Sequence, residues 1–241
     1  IGGFERNFND TAFTKIEKFL KEYPVVLKEF ENLFSRNRIF MDRTQGTGAI
    51  SAERALAYSF TGPNLRAAGV DYDVRVAKPY SSYEDFQFDI PVGTTGDNYD
   101  RFMVRNGEMW QSLSIIEQAM QKLAQFKGAE ADVYHADVPE YYLPEKKDVY
   151  TKMEALIWHF KIIMGEIEMP KGEVYHAVEG ANGELGYYLI SDGGRTPYRL
   201  HFRRPCFIYY QAYPELVKGA MLSDAIVTMS SLNLIAGELD A

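Results

Sequence analysis

The chain has 241 residues, 46% of them hydrophobic and 25% charged, with a formal net charge of -8; a chain of this size buries roughly 70 to 75% of its unfolded surface, enough for one large core or two modest ones. Its one cysteine, Cys206, excludes an internal disulfide and a cysteine-rich metal site, and the acidic balance argues against a nucleic-acid surface, where phosphates are met by Lys and Arg. No run of about 18 apolar residues occurs, the best stretch, 155–164, being interrupted by His159 and Lys161, so no bilayer span is predicted.

Taken in order, the chain opens Ile1-Gly2-Gly3 without Met and without a secretory signal, the beginning expected of a fragment or a processed product. From Thr11 to Ser35, Phe13, Ile16, Leu20, Tyr23, Leu27, Phe30 and Phe34 recur at helical spacing, with Thr11 after Asp10 as N-cap and Pro24 expected to kink or split the helix. The loop from Arg43 to Ser51 carries Gly46 and Gly48 but not the Gly-Lys-Ser/Thr ending of a phosphate loop. A structural turn is therefore predicted, with Ser51 capping a short helix to about Tyr58. Residues 61–91, punctuated by Gly62-Pro63 and Lys78-Pro79, read as irregular loop. Arg66 and Arg75 lie there close in sequence to Asp71, Asp73 and Asp85, either as a salt-bridge network or as a docking patch.

Gly96 to Ala124 is the strongest helical signal: Phe102, Met109, Leu113, Ile116, Met120 and Leu123 form one seam, Met103 and Trp110 a second face, and Asp97 and Asp100 sit at the positive N-terminal end. Residues 125–147 are polar with Pro139 and Pro144 and read as a surface excursion. A second helix is predicted from Asp148, with Val149, Met153, Leu156, Phe160, Ile163 and Ile167 in a matching seam, so the two imply a bundle. After Pro170 the period changes to two. Gly172 to Val178, the Asn182-Gly183 turn, Leu185 to Ser191 and Tyr198 to Arg204 predict a three-stranded antiparallel meander, and the class is α+β. In the last segment Leu216, Met221, Leu222, Ile226, Met229, Leu232 and Ile235 step at helical spacing, which predicts a helical tail packed on a core. The whole is read as one domain, 1–241: mainly helical over 1–170, meander over 171–205, helical tail over 206–241.

Chemical constellations are sparse. His135, His159, His176 and His201 have no metal-ligand spacing, and Cys206, after Pro205 in an apolar setting without a helix-start signal, is a poor nucleophile. Glu238 and Asp240 are acids in an apolar tail, able to relay protons beside a reducible substrate or simply to solvate a chain end. The 17 Tyr and 15 Phe hint at buried interfaces. Residue chemistry alone stops at an interface-rich α+β protein.

Particular strings go further. NRIFMDRTQGTGAIS, TGPNLRAAGVDYDVR, GDNYDRFMVRNGEMWQSLSIIEQAM, PKGEVYHAVEGANGELGYYLISDG, PYRLHFRRPCF and SSLNLIAGELD occur in that order. With them the chain closely resembles the D subunit of proton-pumping NADH:quinone oxidoreductase, respiratory complex I, over about that subunit's C-terminal half. The resemblance implies a nickel-iron hydrogenase large-subunit-like fold and a role in shaping, with a subunit bearing the last [4Fe-4S] cluster, the chamber in which quinone is reduced. It implies no cofactor on this chain, NADH and FMN elsewhere in the complex, and as partners the B-type cluster subunit, C-type and I-type peripheral-arm subunits and an H-type membrane subunit. Its expected location is peripheral, on the cytoplasmic face of the bacterial plasma membrane or the matrix side in mitochondria. Laid over the hydrogenase Asp-Pro-Cys-x-x-Cys motif, Asn233 and Leu234 take the Asp and Pro positions, and Ile235 and Glu238 stand for the cysteines, so the nickel-iron site is lost and an apolar wall remains. Asn233, Leu234, Ile235, Gly237, Glu238 and Asp240 are accordingly the chamber candidates. The complex I pattern usually has Asp where Asn233 stands and Arg where Ala241 stands. A non-catalytic structural or assembly subunit of a hydrogenase-related complex is the alternative.

Overall fold

The computed structural model describes residues 3–4, 8–126, 138, 141–165 and 167–240. His135, Ala241 and most of the expected 125–147 excursion lie outside them. The described residues divide into two compact units, one comprising 1–16, 120–175 and 188–201, the other 17–119, 176–187 and 202–241.

The second unit holds the site, and several helices begin where a side chain completes the first turn. Helix α1 (Asp10–Phe34) starts on Asn9, whose side chain accepts from the Ala12 amide at 2.9 Å, not on Thr11. It runs unbroken through Pro24. Proline costs a helix interior about 3 kcal/mol, but the contacts beyond it pull the helix onward: Leu27 is buried, and Glu31 accepts from Asn106 at 2.8 Å and from the Trp110 indole at 2.6 Å. The rings of Phe30 and Phe40 both pack on Phe102, with centroids 5.7 and 4.9 Å away. Two short helices follow, α2 (Arg38–Thr44), capped by Asn37, and α3 (Ala52–Ala57), capped by Ser51 as the sequence predicts.

Residues 61–91 are more ordered than an irregular loop. The Gly62-Pro63 pair is a helix start rather than a break: Thr61 is the N-cap of α4 (Gly62–Ala67), and proline suits the first turn, where its missing N–H has no intrahelical partner to lose. Asp73 caps α5 (Val74–Ala77) by accepting from the Arg75 amide, and a single 3-10 turn spans Tyr83–Asp85. Helix α6 (Asn98–Leu123) fulfils the expected long helix. Asp97 closes its first turn by accepting from the Asp100 amide at 2.8 Å, and Asp100 in turn accepts from the Thr94 and Thr95 amides.

In the first unit the predicted second long helix is interrupted. Helices α7 (Lys146–Thr151) and α8 (Met153–Ile163) meet at Lys152, which is extended. Met153, Leu156, Phe160 and Ile163 are exposed, so the seam brings no burial here, and helical pieces this short depend on packing for their stability.

Strands β1 (Gly172–Gly180), β2 (Gly183–Ser191) and β3 (Arg199–Arg203) form one sheet in the order β1-β2-β3, the expected meander. The turn between the first two is Ala181-Asn182, one residue earlier than Asn-Gly reads, with Gly183 already in β2. Its position is dictated by contact: Gly62 is at φ +59 and Gly183 at φ +143, and a Cβ on Gly62 would overlap the Cα of Gly183. Only glycine pairs approach this closely.

Helices α9 (Pro205–Leu216), α10 (Leu222–Leu232) and α11 (Ala236–Asp240) make the tail. Its expected packing holds for one edge only. Leu216 and Leu232 join a core with Ile50, Phe60, Leu65 and Tyr209, whereas Met221, Leu222, Ile226, Met229 and Ile235 are exposed, Leu222 by 84%. No helix among the described residues is long and apolar enough to cross a membrane.

Candidate functional site

Pro205 and Cys206 open α9, so a helix starts where the sequence reading finds no start signal; proline suits the first helical position because its missing N–H has no intrahelical partner to lose. A first turn leaves amide donors free, and Glu238 reaches back from α11 to take one: its Oε2 accepts from the Cys206 amide at 2.9 Å. Oε1 accepts from the Asn182 side chain at 3.3 Å. Glu238 is therefore a helix cap and not a solvated chain end. Cys206 is fully buried; burial, and then the hydrogen bond with Glu238, push its thiol up to about 11. Its Sγ donates to the Asn233 carbonyl at 3.3 Å and accepts from Asn182 at 3.4 Å.

Asn233 ends α10 in the left-handed region, φ 57 and ψ 52, a conformation asparagine tolerates because its short amide bonds locally. That amide donates to the Asn182 carbonyl oxygen. Asn233 and Glu238, both candidates from the sequence, are thus brought together by a residue the sequence marked only as a turn. Leu234 packs against the core, and Ile235 points outward. Asp240 is exposed on α11, as a solvated chain end would be, and a Cβ added to Gly237 would meet nothing.

Behind the loop stands Arg101, entirely buried. One Nη donates to the carbonyls of Gly48 and Gly96 at 2.6 and 2.9 Å, the other to Asn98 Oδ1 and Ser231 Oγ at 2.9 and 3.2 Å. Burial pushes its guanidinium down to about 9, with Arg105 next to it adding to the effect. Asn98 also donates to Thr228 at 3.1 Å. Gly48 has φ +60, and a Cβ there would lie 2.7 Å from Asn98 Oδ1 and 2.8 Å from Thr228 Oγ1. The glycine loop is thereby a structural turn, as predicted. It anchors α10 and, through it, Asn233.

A cleft of about 560 Å³ opens in the same unit, lined by Phe30, Phe102 and Met109 together with Arg66, Arg105, Glu108 and Glu179. The candidates of the C-terminal loop are not among its lining residues. Arg66 bonds with Glu108, lies 2.9 Å from Glu179 and 3.4 Å from Asp73, while Asp73 also holds Arg75 at 2.6 Å. The salt-bridge reading of Arg66 and Arg75 is right for Asp73, but Glu108 and Glu179 come from α6 and β1. Burial works against the Asp73 carboxylate, yet hydrogen bonds and charge from Arg75 and Arg66 outweigh it and hold Asp73 below its ordinary value. Burial pushes Glu179 up.

The family model described as respiratory-chain NADH dehydrogenase, 49 kDa subunit, matches residues 1–241. The chain belongs to this family. Its α+β fold is the family's hydrogenase large-subunit-like type. It is 76% identical, over its full length and 61% of the relative's, to the D 2 subunit of NADH-quinone oxidoreductase from Cytophaga hutchinsonii. Identity to the D subunit from Flavobacterium psychrophilum is 70%, over 57% of that protein, and to the D subunit from Myxococcus xanthus 47%, over 56%. The chain spans about 60% of the length of the first of these relatives. The one cysteine is buried and its thiol is raised, and among the described residues no group of three or more His, Cys, Asp or Glu converges.

Proposed function

We propose that this chain is part of the quinone-site subunit of a proton-pumping NADH:quinone oxidoreductase, shaping a chamber for quinone with a subunit that bears the last [4Fe-4S] cluster. The observation that carries the proposal is the family match along all 241 residues. The relatives are D subunits of NADH-quinone oxidoreductases, which supports the same assignment here. In this reading the loop from Asn233 to Asp240 faces the chamber, with exposed Ile235 offering an apolar contact to the ring. Electrons come from NADH through FMN and clusters on other subunits, and the chain sits peripherally on the cytoplasmic face of the membrane, beside B-type, C-type, I-type and H-type subunits. Glu238, with both oxygens engaged, shapes the loop instead of relaying protons.

The test uses the full-length chain in its assembled complex. Ile235→Lys is expected to raise KM for quinone by at least about tenfold, since a charge replaces an apolar contact. Electron transfer to a water-soluble acceptor that bypasses the chamber should persist. Unchanged quinone kinetics in an assembled Ile235→Lys complex would remove this loop from the chamber.

A further inference from the structure

We infer that Asn182, in the β1–β2 turn, is a positioning residue that sets the shape of the 233–238 loop through a matched set of neutral and charged hydrogen bonds. The inference rests on the chamber reading of that loop. An asparagine side chain carries two N–H donors and one carbonyl acceptor, and Asn182 uses both kinds. Its amide donates to Glu238 Oε1 and Cys206 Sγ, and its carbonyl oxygen accepts from the Asn233 amide. The two residues that bracket Ile235 are therefore tied to a single side chain.

The turn that presents Asn182 is itself fixed. Tyr209 is fully buried, and its hydroxyl lies 2.5 Å from the Asn182 backbone carbonyl and 2.6 Å from that of Thr61. Gly183, next in sequence, has no room for a Cβ against that hydroxyl. A turn seated this way cannot slide to follow the loop, so the loop follows the turn.

The polarity of each bond is also determined. Glu238 needs donors and takes them from Asn182 and the Cys206 amide, which leaves only the Asn182 oxygen to face residue 233. An amide at 233 satisfies that oxygen. A carboxylate at 233 would meet it with no proton between, and Asn182 would have to abandon Glu238 to serve it. Asn233 and Asn182 are a matched pair, and introducing Asp at 233 alone is expected to impair the loop rather than improve it.

Reciprocal substitution tests the matching in the full-length chain within its complex. Asn182→Asp sets a carboxylate against Glu238 and should raise KM for quinone by about tenfold, the factor that 1.4 kcal/mol represents, with kcat changed by less than about threefold. Adding Glu238→Gln restores a donor toward position 182 and keeps an oxygen for the Cys206 amide. The double variant should return KM to within about threefold of wild type. If Asn182→Asp prevents assembly, recovery of assembled complex in the double variant supports the pairing and its absence overturns it. A wild-type complex that reduces quinone while Asn182→Asp leaves KM unchanged, or while Glu238→Gln fails to relieve the defect, overturns the positioning role alone. A wild-type complex that reduces no quinone overturns the chamber reading with it.

Discussion

Arg66 and Arg101 are 1% and 0% exposed, yet Arg66 lies among the carboxylates of Asp73, Glu108 and Glu179 whereas Arg101 meets two carbonyls, an amide and a hydroxyl. Taking a guanidinium out of water is costly in both places. In the first, opposite charges offset it, and the cluster must keep its protonation states to survive. In the second, hydrogen bonds to uncharged acceptors offset it, helped by the charges of Asp97 and Asp100, and the result is a knot joining the glycine loop, the start of α6 and the end of α10. The ionic cluster borders an open cleft, while the neutral knot stands behind the loop that carries the site. The molecule thus gathers opposite charges at the cleft and sets a cation among uncharged acceptors behind the loop.

Removing each arginine separates the two modes. Arg66→Ala is expected to cost about 4 kcal/mol, because breaking a buried ionic set by deleting one partner leaves uncompensated charge; a thermal melt of the full-length chain measures it. Lowering the charge of the survivors should help, so Glu108→Gln in that background is expected to recover part of the loss. Arg101→Lys keeps a positive charge but cannot span four oxygens, and should cost about 2 kcal/mol. Its mark is local: amide exchange should quicken over 46–50 and 228–238 and stay unchanged at 176–180. If Arg101→Lys instead loosened β1 and spared α10, the two arginines would not act separately.

The smallest effect is that of acid. Asp73 is held below its ordinary value of 3.8 because Arg75 and Arg66 outweigh its burial, and so is Asp100, where the amides of Thr95 and Thr94 outweigh burial in the same way. For a carboxylate whose folded value is depressed, the folded state binds fewer protons than the unfolded one. The stability it contributes is present above 3.8 and is lost as pH falls through the folded value. Glu179, pushed up by burial, runs the other way, its unfavourable charge being relieved on acidification. Amide exchange between about pH 6 and about pH 3 is expected to loosen 73–77 and the start of α6 while the buried interior of α9 at Tyr209 and Ala212 keeps its protection.

Much of this could be read before any coordinates. The α6 helix, the meander, the Ser51 cap and the structural nature of the glycine loop follow from periodicity and local chemistry, which act over a few residues. Membership of the 49 kDa family was legible in six strings and is shown by the match over the whole chain. Asn233 and Glu238 were legible as candidates through that resemblance. Asn182 was not: an Asn-Gly pair reads as a turn whatever its side chain touches. Glu108 and Glu179 were equally hidden, because a carboxylate's partner depends on which segments dock, not on its neighbours in sequence.

The sequence by itself determined which residues share a face and which family the chain belongs to, since those depend on spacing and on ordered strings. Tertiary structure alone decided that Leu232 is sealed in the core while Leu222, on the same helix, is bare, and that four side chains from three distant segments close on one another at 182, 206, 233 and 238. Periodicity states that a face exists; only packing supplies what covers it, and a hydrogen bond forms only where the fold brings donor and acceptor within reach.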